Sequence, residues 1–227
     1  MDNLAVIIVA GGSGARMGSP TPKQFLPLGG EGKPVLVHTL ERFVAAAPAA
    51  RIVVALPQDE IARWEQICDR YGLGATHTVC AGGETRFHSV RNALAVVADA
   101  RLVAVHDGVR PLVSAELIGR VFEAARQHGA AIPVVEPVDS LRLLDDAGGS
   151  AACDRRRIRA VQTPQAFRRE IIVAAYKTVY DPRFTDDASV VESAGTPVVL
   201  CAGDAANIKI TAPTDLAVAQ ALLEAGY

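Results

Sequence analysis

The chain has few of the residues that mark several large classes of protein. Only 4 of its 227 residues are cysteine, 5 are histidine, and the formal net charge is −2 at pH 7. The cysteines form no C-x-x-C pair and the histidines no ligand-spaced pair, which argues against a disulfide scaffold and a protein-built zinc site. A charge this close to zero gives no support to nucleic-acid or membrane-surface binding.

Long apolar runs are also missing. No run approaches the roughly 20 residues that span a bilayer, and the first strand pattern begins at Leu4, which leaves no room for a signal peptide before it. We therefore expect a cytoplasmic protein with reduced thiols. Apolar residues make up 50% of the chain and aromatic residues 5%, so the core must be built mainly from Val, Ala, Leu and Ile.

The chain opens with a buried strand and a glycine-rich loop. Residues 4–10 are an unbroken apolar run rich in β-branched side chains, typical of a strand buried on both faces. Gly-Gly-Ser-Gly follows at 11–14, and then come Arg16 and Lys23. Glycines after a strand let backbone N–H groups approach an anion, so the loop is suited to phosphate.

Two common phosphate loops do not fit this stretch. The Walker A motif needs a lysine directly after its last glycine, and the dinucleotide pattern G-x-G-x-x-G would place its third glycine at Met17. A purely structural turn is the alternative interpretation, and the two flanking cations disfavour it.

Strand patterns then alternate with amphipathic helical patterns. Buried strands are predicted at 52–56, 76–80, 102–106 and 130–135. Helices between them favour a largely parallel sheet covered on both faces, and such sheets bind ligands at the carboxyl ends of their strands. The loops at 10–23, 81–89 and 107–110 lie at such ends, so we expect them to converge on one nucleotide site.

Asp107 ends one of these strands, with Arg110 three residues later. One interpretation is a helix cap or a structural salt bridge between the two. The other is a carboxylate that helps to hold a divalent cation or a substrate hydroxyl, beside an arginine that holds a phosphate.

The regular alternation stops between Glu136 and Gln162. Residues 137–143 alternate like a strand, 145–149 read as a turn, and 158–162 alternate back, which predicts a projecting β-hairpin. A hairpin that leaves the core needs a partner surface, so we expect 136–163 to be a dimerisation arm.

Seven short motifs carry a resemblance to a known family. In chain order they are G-G-S-G-A-R-M, P-K-Q, A-G-G-E-T-R-F-H-S-V, H-D-G-V-R-P, Q-T-P-Q-A-F, T-D-D-A-S and N-I-K-I-T. With them the chain resembles the 2-C-methyl-D-erythritol 4-phosphate cytidylyltransferases of non-mevalonate isoprenoid synthesis. The resemblance implies a single nucleotidyltransferase domain over 1–227, a Rossmann-like α/β three-layer sandwich with a mostly parallel sheet and a projecting β-hairpin arm.

The implied reaction transfers the CMP moiety of CTP to 2-C-methyl-D-erythritol 4-phosphate, giving 4-diphosphocytidyl-2-C-methyl-D-erythritol and pyrophosphate. The resemblance further implies Mg²⁺ held mainly by the CTP phosphates, a homodimer, and neither nucleic acid nor membrane as partner. The closest alternative is a ribitol-5-phosphate cytidylyltransferase, which shares fold, loops and nucleotide. A regulatory module without turnover is disfavoured by the cations, and an NAD-dependent oxidoreductase by Met17.

The resemblance also implies roles for single residues. Those expected to bind CTP are Ala10, Gly11, Gly12, Arg16, Lys23, Gly83, Ser89 and Gly108. Those expected to form the polyol phosphate pocket are Asp107, Arg110, Ser140, Arg155, Thr163, Thr185 and Lys209. Those expected to act in catalysis are Arg16, Lys23, Asp107 and Lys209, with Asp107 also a candidate metal ligand. Interlocked arms would let Ser140, Arg155 and Thr163 serve the neighbouring subunit; Ser140 stands where the family usually has threonine.

Overall fold

The computed structural model describes residues 3–12, 18 and 20–227. The strands are β1 (Leu4–Val9), β2 (Pro27–Leu28), β3 (Lys33–Pro34), β4 (Arg51–Leu56), β5 (Thr78–Ala81), β6 (Leu102–Asp107), β7 (Ala130–Val135), β8 (Leu141–Leu144), β9 (Ser150–Cys153), β10 (Ala160–Val161), β11 (Gln165–Arg168) and β12 (Val199–Ala202). The helices are α1 (Val35–Ala46), α2 (Ile61–Tyr71), α3 (Arg86–Val96), α4 (Ala115–His128), α5 (Arg169–Ala175), α6 (Asp187–Ser193) and α7 (Pro213–Glu224).

Eight of the strands in the described part of the chain form one central sheet. Its order is β10-β7-β11-β6-β1-β4-β5, and β12 also pairs with β7. The pairs β1–β4, β1–β6, β4–β5 and β12–β7 are parallel. Only β10 and β11 run antiparallel to their described neighbours. The expectation of a largely parallel sheet is confirmed.

Strand β1 shows why the sheet is covered on both faces. Ala5, Val6, Ile7 and Ile8 are all fully buried. Because side chains alternate along a strand, Val6 and Ile8 enter one core cluster while Ala5 and Ile7 enter the other. Helices α1, α2 and α4 contribute to the first cluster and α3, α5 and α6 to the second. The molecule is therefore the three-layer α/β sandwich that was predicted.

The β-hairpin arm is present, but its return strand is not the predicted one. Strand β8 pairs antiparallel with β9, with Leu144 opposite Ser150. The Asp145 carboxylate accepts hydrogen bonds from the N–H groups of Ala147 and Gly149, and these two bonds close the turn. The chain therefore pairs immediately after the turn. The expected return strand at 158–162 is wrong, because β10 has by then rejoined the main sheet beside β7.

A second difference is β11, which was not predicted as a strand. It lies between β6 and β7 and runs antiparallel to both. Ala166 and Phe167 are fully buried there. Two apolar residues between polar neighbours are too short a run to show strand periodicity in the sequence. This strand carries the Q-T-P-Q segment to the carboxyl edge of β6.

The arm leaves large apolar side chains uncovered. Val138, Leu143 and Leu144 are 85%, 62% and 81% exposed. The four cysteines are free thiols, and burial raises the pKa of Cys68 to about 11. Among the helices that the structure describes, none is both long and apolar enough to cross a membrane.

Candidate active site

A cleft of about 190 Å³ lies at the carboxyl edge of the sheet, where β1, β5 and β6 end. Its lining residues are Val9, Ala10, Gly11, Gly12, Lys23, Gln24, Gly83, Glu84, Thr85, Arg86, Ser89, Asp107, Val109 and Lys209. All three loops that were expected to converge contribute residues to it, as parallel strands ending at one edge require. We call it the first cleft.

A second cleft of about 250 Å³ adjoins the first. Its lining residues are Arg86, Asp107, Arg110, Val161, Gln162, Thr163, Gln165, Thr185, Asp186 and Lys209. The two clefts share Arg86, Asp107 and Lys209. This shared wall places one carboxylate and two cations between two compartments.

Asp107 is the centre of the shared wall. Its Oδ2 lies 3.0 Å from Lys209 Nζ and 3.3 Å from Arg110 Nε, and its Oδ1 lies 3.5 Å from Arg86 Nε. Burial by itself would raise the pKa of this carboxyl, but the charges of Arg86, Lys209 and Arg110 outweigh it and hold the pKa well below its usual range. Asp107 therefore stays anionic and orients three cations.

Arg86 connects the shared wall to the start of α6, in the same helix layer as its own helix α3. Its Nη2 lies 2.6 Å from Asp187 Oδ2, and Asp187 Oδ1 accepts a hydrogen bond of 2.6 Å from the Tyr176 hydroxyl. Burial opposes the charge on Arg86, yet Asp187 and Asp107 raise its pKa, so the guanidinium stays protonated. Three cations against two carboxylates leave one surplus positive charge in the cluster, which suits an anionic ligand.

Glycines let the loops of the first cleft approach one another closely. A Cβ at Gly108 would lie 2.9 Å from Leu36 Cδ1 and 3.0 Å from Ala10 Cβ, so a side chain there would push the ends of β1 and β6 apart. On the neighbouring loop, the Gly83 N–H donates to Ser89 Oγ at 3.0 Å. The Ser89 hydroxyl in turn donates to the Thr85 carbonyl oxygen at 3.0 Å. The loop thus brings the backbone of Gly83 beside the start of α3.

Known proteins resemble the chain over nearly its full length. The family model described as IspD, 2-C-methyl-D-erythritol 4-phosphate cytidylyltransferase, matches residues 4–225. The chain is 53% identical to the enzyme of that name from Bacteroides thetaiotaomicron, covering 96% of this chain and 99% of the relative. It is 51% identical to that of Porphyromonas gingivalis, covering 96% of each. The chain belongs to the IspD family.

Solved structures of the IspD family agree with the fold. The crystal structure of the Thermus thermophilus 2-C-methyl-D-erythritol 4-phosphate cytidylyltransferase superposes with a TM-score of 0.76 at 34% identity, covering 99% of this chain and all of the other. That of the Anaerococcus prevotii 4-diphosphocytidyl-2C-methyl-D-erythritol synthase gives 0.82 at 28% identity, covering 98% and 96%. The predicted fold class is confirmed, and the family membership makes the chain a cytidylyltransferase.

Most of the residues expected from the sequence come together. Those in the first cleft are Ala10, Gly11, Gly12, Lys23, Gly83, Ser89, Asp107 and Lys209. Those in the second cleft are Asp107, Arg110, Thr163, Thr185 and Lys209. Arg16 lies outside the described residues. The roles of these residues toward a ligand stay predictions.

Three of the expected residues lie elsewhere. Gly108 lines neither cleft; its N–H donates to the Val9 carbonyl at the end of β1, and its carbonyl accepts from Thr39 Oγ1 of α1. Ser140 and Arg155, both described, lie on the arm and line neither cleft. The Arg155 guanidinium donates to the Val138 carbonyl.

Thr163 departs from one expectation. It was grouped with the arm residues that serve a neighbouring subunit, yet its side chain is buried in its own chain and accepts from the Asp107 N–H at 3.1 Å. The reason is that residues 163–165 have already left the arm for the edge of β6. That part of the expectation is wrong.

Sequence reasoning missed the glutamines of the Q-T-P-Q segment. Gln165 Oε1 accepts from the N–H groups of Asp187 and Ala188, each at 3.0 Å, and its Nε2 donates to Asp186 at 2.8 Å. Gln162 holds Asp204 from both sides, donating to its carbonyl at 2.7 Å and accepting from its N–H at 3.1 Å. The two glutamines thus fix the loops that carry Thr185 and Lys209. Two amides flanking Thr-Pro in a buried stretch were the only signal.

Arg86 was missed as well, although it lines both clefts. Its partner Asp187 is 101 residues away in the chain, and no local pattern predicts such a pair. The signal that could have found it is an arginine at the first position of a helix, where a cation opposes the helix dipole and therefore needs an acidic partner.

The metal role suggested for Asp107 finds little support in its contacts. Both oxygens already face cationic nitrogens. Within the described ranges, no three His, Cys, Asp or Glu side chains are arranged to hold a metal ion. The donor set therefore does not fit a magnesium ion held by the described side chains.

Replacing Asp107 should destabilise the protein. Asp107→Asn leaves Arg86, Arg110 and Lys209 facing one another without their anion, and breaking a buried ion pair in this way costs about 3–5 kcal/mol. Because the folded pKa of Asp107 is depressed, its stabilisation is fully present above the unfolded pKa of about 4 and is lost as the pH falls below it.

Urea unfolding of wild type and Asp107→Asn at pH 7 and at successively lower pH measures both effects. The difference between the two proteins should be largest at pH 7 and shrink below about pH 4. Exposed Asp59→Asn is the control and should leave the free energy of unfolding almost unchanged. Equal stability of Asp107→Asn and wild type at pH 7 would contradict the structural role of Asp107.

Proposed function

We propose that the protein transfers the CMP moiety of CTP to 2-C-methyl-D-erythritol 4-phosphate, giving 4-diphosphocytidyl-2-C-methyl-D-erythritol and pyrophosphate. The observation that carries the proposal is the pair of clefts that share the Asp107 wall, since a transfer between two bound substrates needs two adjoining sites. The names of relatives at 51% and 53% identity support this acceptor. They favour it over ribitol 5-phosphate.

CTP fits the first cleft. The backbone at 10–12, Lys23, Gly83 and Ser89 all line it. In the proposed complex the first two bind the phosphates, and Gly83 and Ser89 bind the cytosine edge. The Gly12 Cα approaches the Lys23 chain so closely that a Cβ would lie 3.4 Å from Lys23 Cε. A glycine at this position leaves room for both the lysine and a phosphate.

The polyol phosphate fits the second cleft. Arg110 is held there by its Nη1, which donates to the Asn207 carbonyl at 2.8 Å, and by Asp107. A guanidinium fixed in this way offers planar donors to a phosphate. Thr163 and Thr185 add hydroxyl groups to the same cleft. The acceptor phosphate then lies against the shared wall, next to the α-phosphate of CTP.

The reaction needs positioning and charge neutralisation rather than a nucleophilic side chain. An oxygen of the acceptor phosphate attacks the α-phosphorus in line and forms the new P–O bond. The bond to the β-phosphate oxygen breaks, and pyrophosphate leaves with the electron pair. Lys209, oriented by Asp107 between the clefts, neutralises charge on the α-phosphate as it becomes crowded. Magnesium that enters on the triphosphate oxygens would neutralise charge on the leaving pyrophosphate.

We further propose a cytoplasmic homodimer joined through the arm, which was predicted at 136–163 and whose hairpin consists of β8 and β9. Uncovered Val138, Leu143 and Leu144 support it, because an isolated hairpin of this kind is only marginally stable in water. The positions of Ser140 and Arg155 outside both clefts of their own chain also support it. In a dimer these two residues would complete the neighbouring subunit's second cleft.

Pyrophosphate release tests the function directly. With 2-C-methyl-D-erythritol 4-phosphate, turnover should be fastest with CTP, because a wrong base leaves buried hydrogen-bonding groups unpaired at about 1–3 kcal/mol each. ATP, GTP and UTP are the comparison nucleotides, and ribitol 5-phosphate is the comparison acceptor. Equal turnover with ATP or GTP would contradict the nucleotide assignment. A higher kcat/KM with ribitol 5-phosphate would replace the proposed acceptor by the alternative.

Removing Lys209 should slow the chemical step. Lys209→Ala loses a group that acts most strongly in the transition state, so kcat should fall by roughly 10²–10³ while the KM for CTP changes little. Steady-state kinetics on folded, dimeric protein measure this. Exposed Lys177→Ala, in neither cleft, is the matched control and should keep the wild-type kcat. A wild-type kcat for Lys209→Ala would show that Lys209 does not act in the chemical step.

A charge on the arm should separate the subunits and lower activity. Leu144→Asp puts a carboxylate into the proposed interface, and burying an unpaired charge there is strongly unfavourable. Sedimentation at micromolar concentration should then report a monomer, and turnover should fall because Ser140 and Arg155 no longer reach the partner. Val179→Asp, at an equally exposed valine outside the arm, should remain dimeric and active. A fully active wild-type monomer would rule the dimer out.

A further inference from the structure

His106 is a buried ionisable side chain that the proposed reaction does not use. It precedes Asp107 in β6 and is fully buried. Its ring packs edge-on against Phe43, with the centroids 4.8 Å apart. Nε2 lies 3.2 Å from the Arg110 carbonyl oxygen, and Nδ1 lies 3.1 Å from Thr163 Oγ1. Both ring nitrogens therefore contact residues of the second cleft.

These two contacts determine which nitrogen carries the proton. A carbonyl oxygen can only accept, so Nε2 must be protonated to bond with Arg110. Burial lowers the pKa of His106 to about 3, against the opposing effect of Asp107, so the ring is neutral near pH 7. A neutral imidazole has one N–H. Nδ1 is therefore an acceptor.

The acceptor at Nδ1 in turn fixes the Thr163 hydroxyl. A hydroxyl has one hydrogen to donate and two lone pairs. Its hydrogen goes to His106 Nδ1, and one lone pair accepts from the Asp107 N–H at 3.1 Å. Thr163 lines the second cleft, so what remains for a ligand is one lone pair and no donor.

We propose that His106 is a positioning residue that makes the Thr163 hydroxyl an acceptor toward the second cleft. Building on the proposed function, Thr163 then accepts a hydrogen bond from a hydroxyl group of the polyol and does not bind its phosphate. An anionic phosphate oxygen has no hydrogen to offer and is repelled by a lone pair. The phosphate is directed instead to Arg110 and Lys209. The second cleft thereby selects one orientation of the acceptor substrate, with a hydroxyl at Thr163 and the phosphate at Arg110 and Lys209.

If His106 merely fills the core, its tautomer has no consequence for the substrate. The ¹⁵N spectrum of the ligand-free protein tests the tautomer of His106 and its bond to Thr163. His106, assigned by the signal that disappears in His106→Asn, should show the neutral Nε2–H tautomer without titration from pH 5.5 to 8.5. The Nδ1 shift should move in Thr163→Val, which removes the donor, and stay near the wild-type value in Thr163→Ser. A protonated Nδ1, or an Nδ1 shift in Thr163→Val equal to that of the wild type, would overturn the proposal that His106 orients the Thr163 hydroxyl.

Substrate analogues test the consequence for recognition. Two analogues replace one hydroxyl of the polyol phosphate. Fluorine at that position can accept a hydrogen bond weakly but cannot donate one, and hydrogen can do neither. At the hydroxyl that faces Thr163, both analogues should lower kcat/KM of the wild type by about 10–100-fold. Thr163→Val should lose this discrimination at that position, and Thr163→Ser should keep it.

The outcomes separate the two proposals. A fluoro analogue used as well as the parent compound at every position, while the deoxy analogue at one position is poor, would mean that Thr163 donates, and the inference would be wrong. No turnover of 2-C-methyl-D-erythritol 4-phosphate by the wild type would overturn the proposed function. In that case the ¹⁵N result alone would still decide whether His106 orients Thr163.

Discussion

The ion cluster around Asp107 is the interaction on which the two clefts depend. A buried carboxylate is unfavourable on its own, and three cations offset the desolvation of Asp107 in this protein. Each cation comes from a different part of the chain: Arg86 from the start of α3, Arg110 from the loop after β6, and Lys209 from the segment before α7. One side chain therefore fixes the relative positions of three loops.

The register of the central sheet places Asp107 at the edge where these loops meet. In the β1–β6 register Val9 lies opposite Asp107, so the glycine loop after β1 and the carboxylate at the end of β6 reach the edge of the sheet together. Gly108 lets the two strand ends approach, since any side chain there would meet Leu36 and Ala10. The antiparallel β11 then delivers Thr163 to the other side of Asp107. The first cleft lies where parallel strands end, and the second lies between β6 and the antiparallel strands β10 and β11.

Local patterns in the sequence predicted the parts of this arrangement that local physics controls. The buried run of β1, the glycine loop and the strand end at Asp107 all follow from polarity and periodicity. The return strand of the arm was predicted at 158–162 from the alternation of those residues. The chain turns back earlier, because the Asp145 carboxylate accepts hydrogen bonds from two N–H groups of the turn. Arg86–Asp187 and Gln165–Asp187 connect residues 101 and 22 positions apart. Such pairs depend on the packing of whole layers, which no window of sequence contains.

In the proposed reaction the acceptor phosphate attacks the α-phosphorus directly across the shared wall, without a covalent intermediate on the protein. The stereochemical course of the transfer distinguishes this from a two-step route. With CTP that carries a single sulfur of known configuration on the α-phosphate, one in-line displacement inverts the configuration at phosphorus. We predict inversion in the cytidylyl product. Retention would mean two successive displacements through a CMP-enzyme, and would rule out direct transfer between the two clefts.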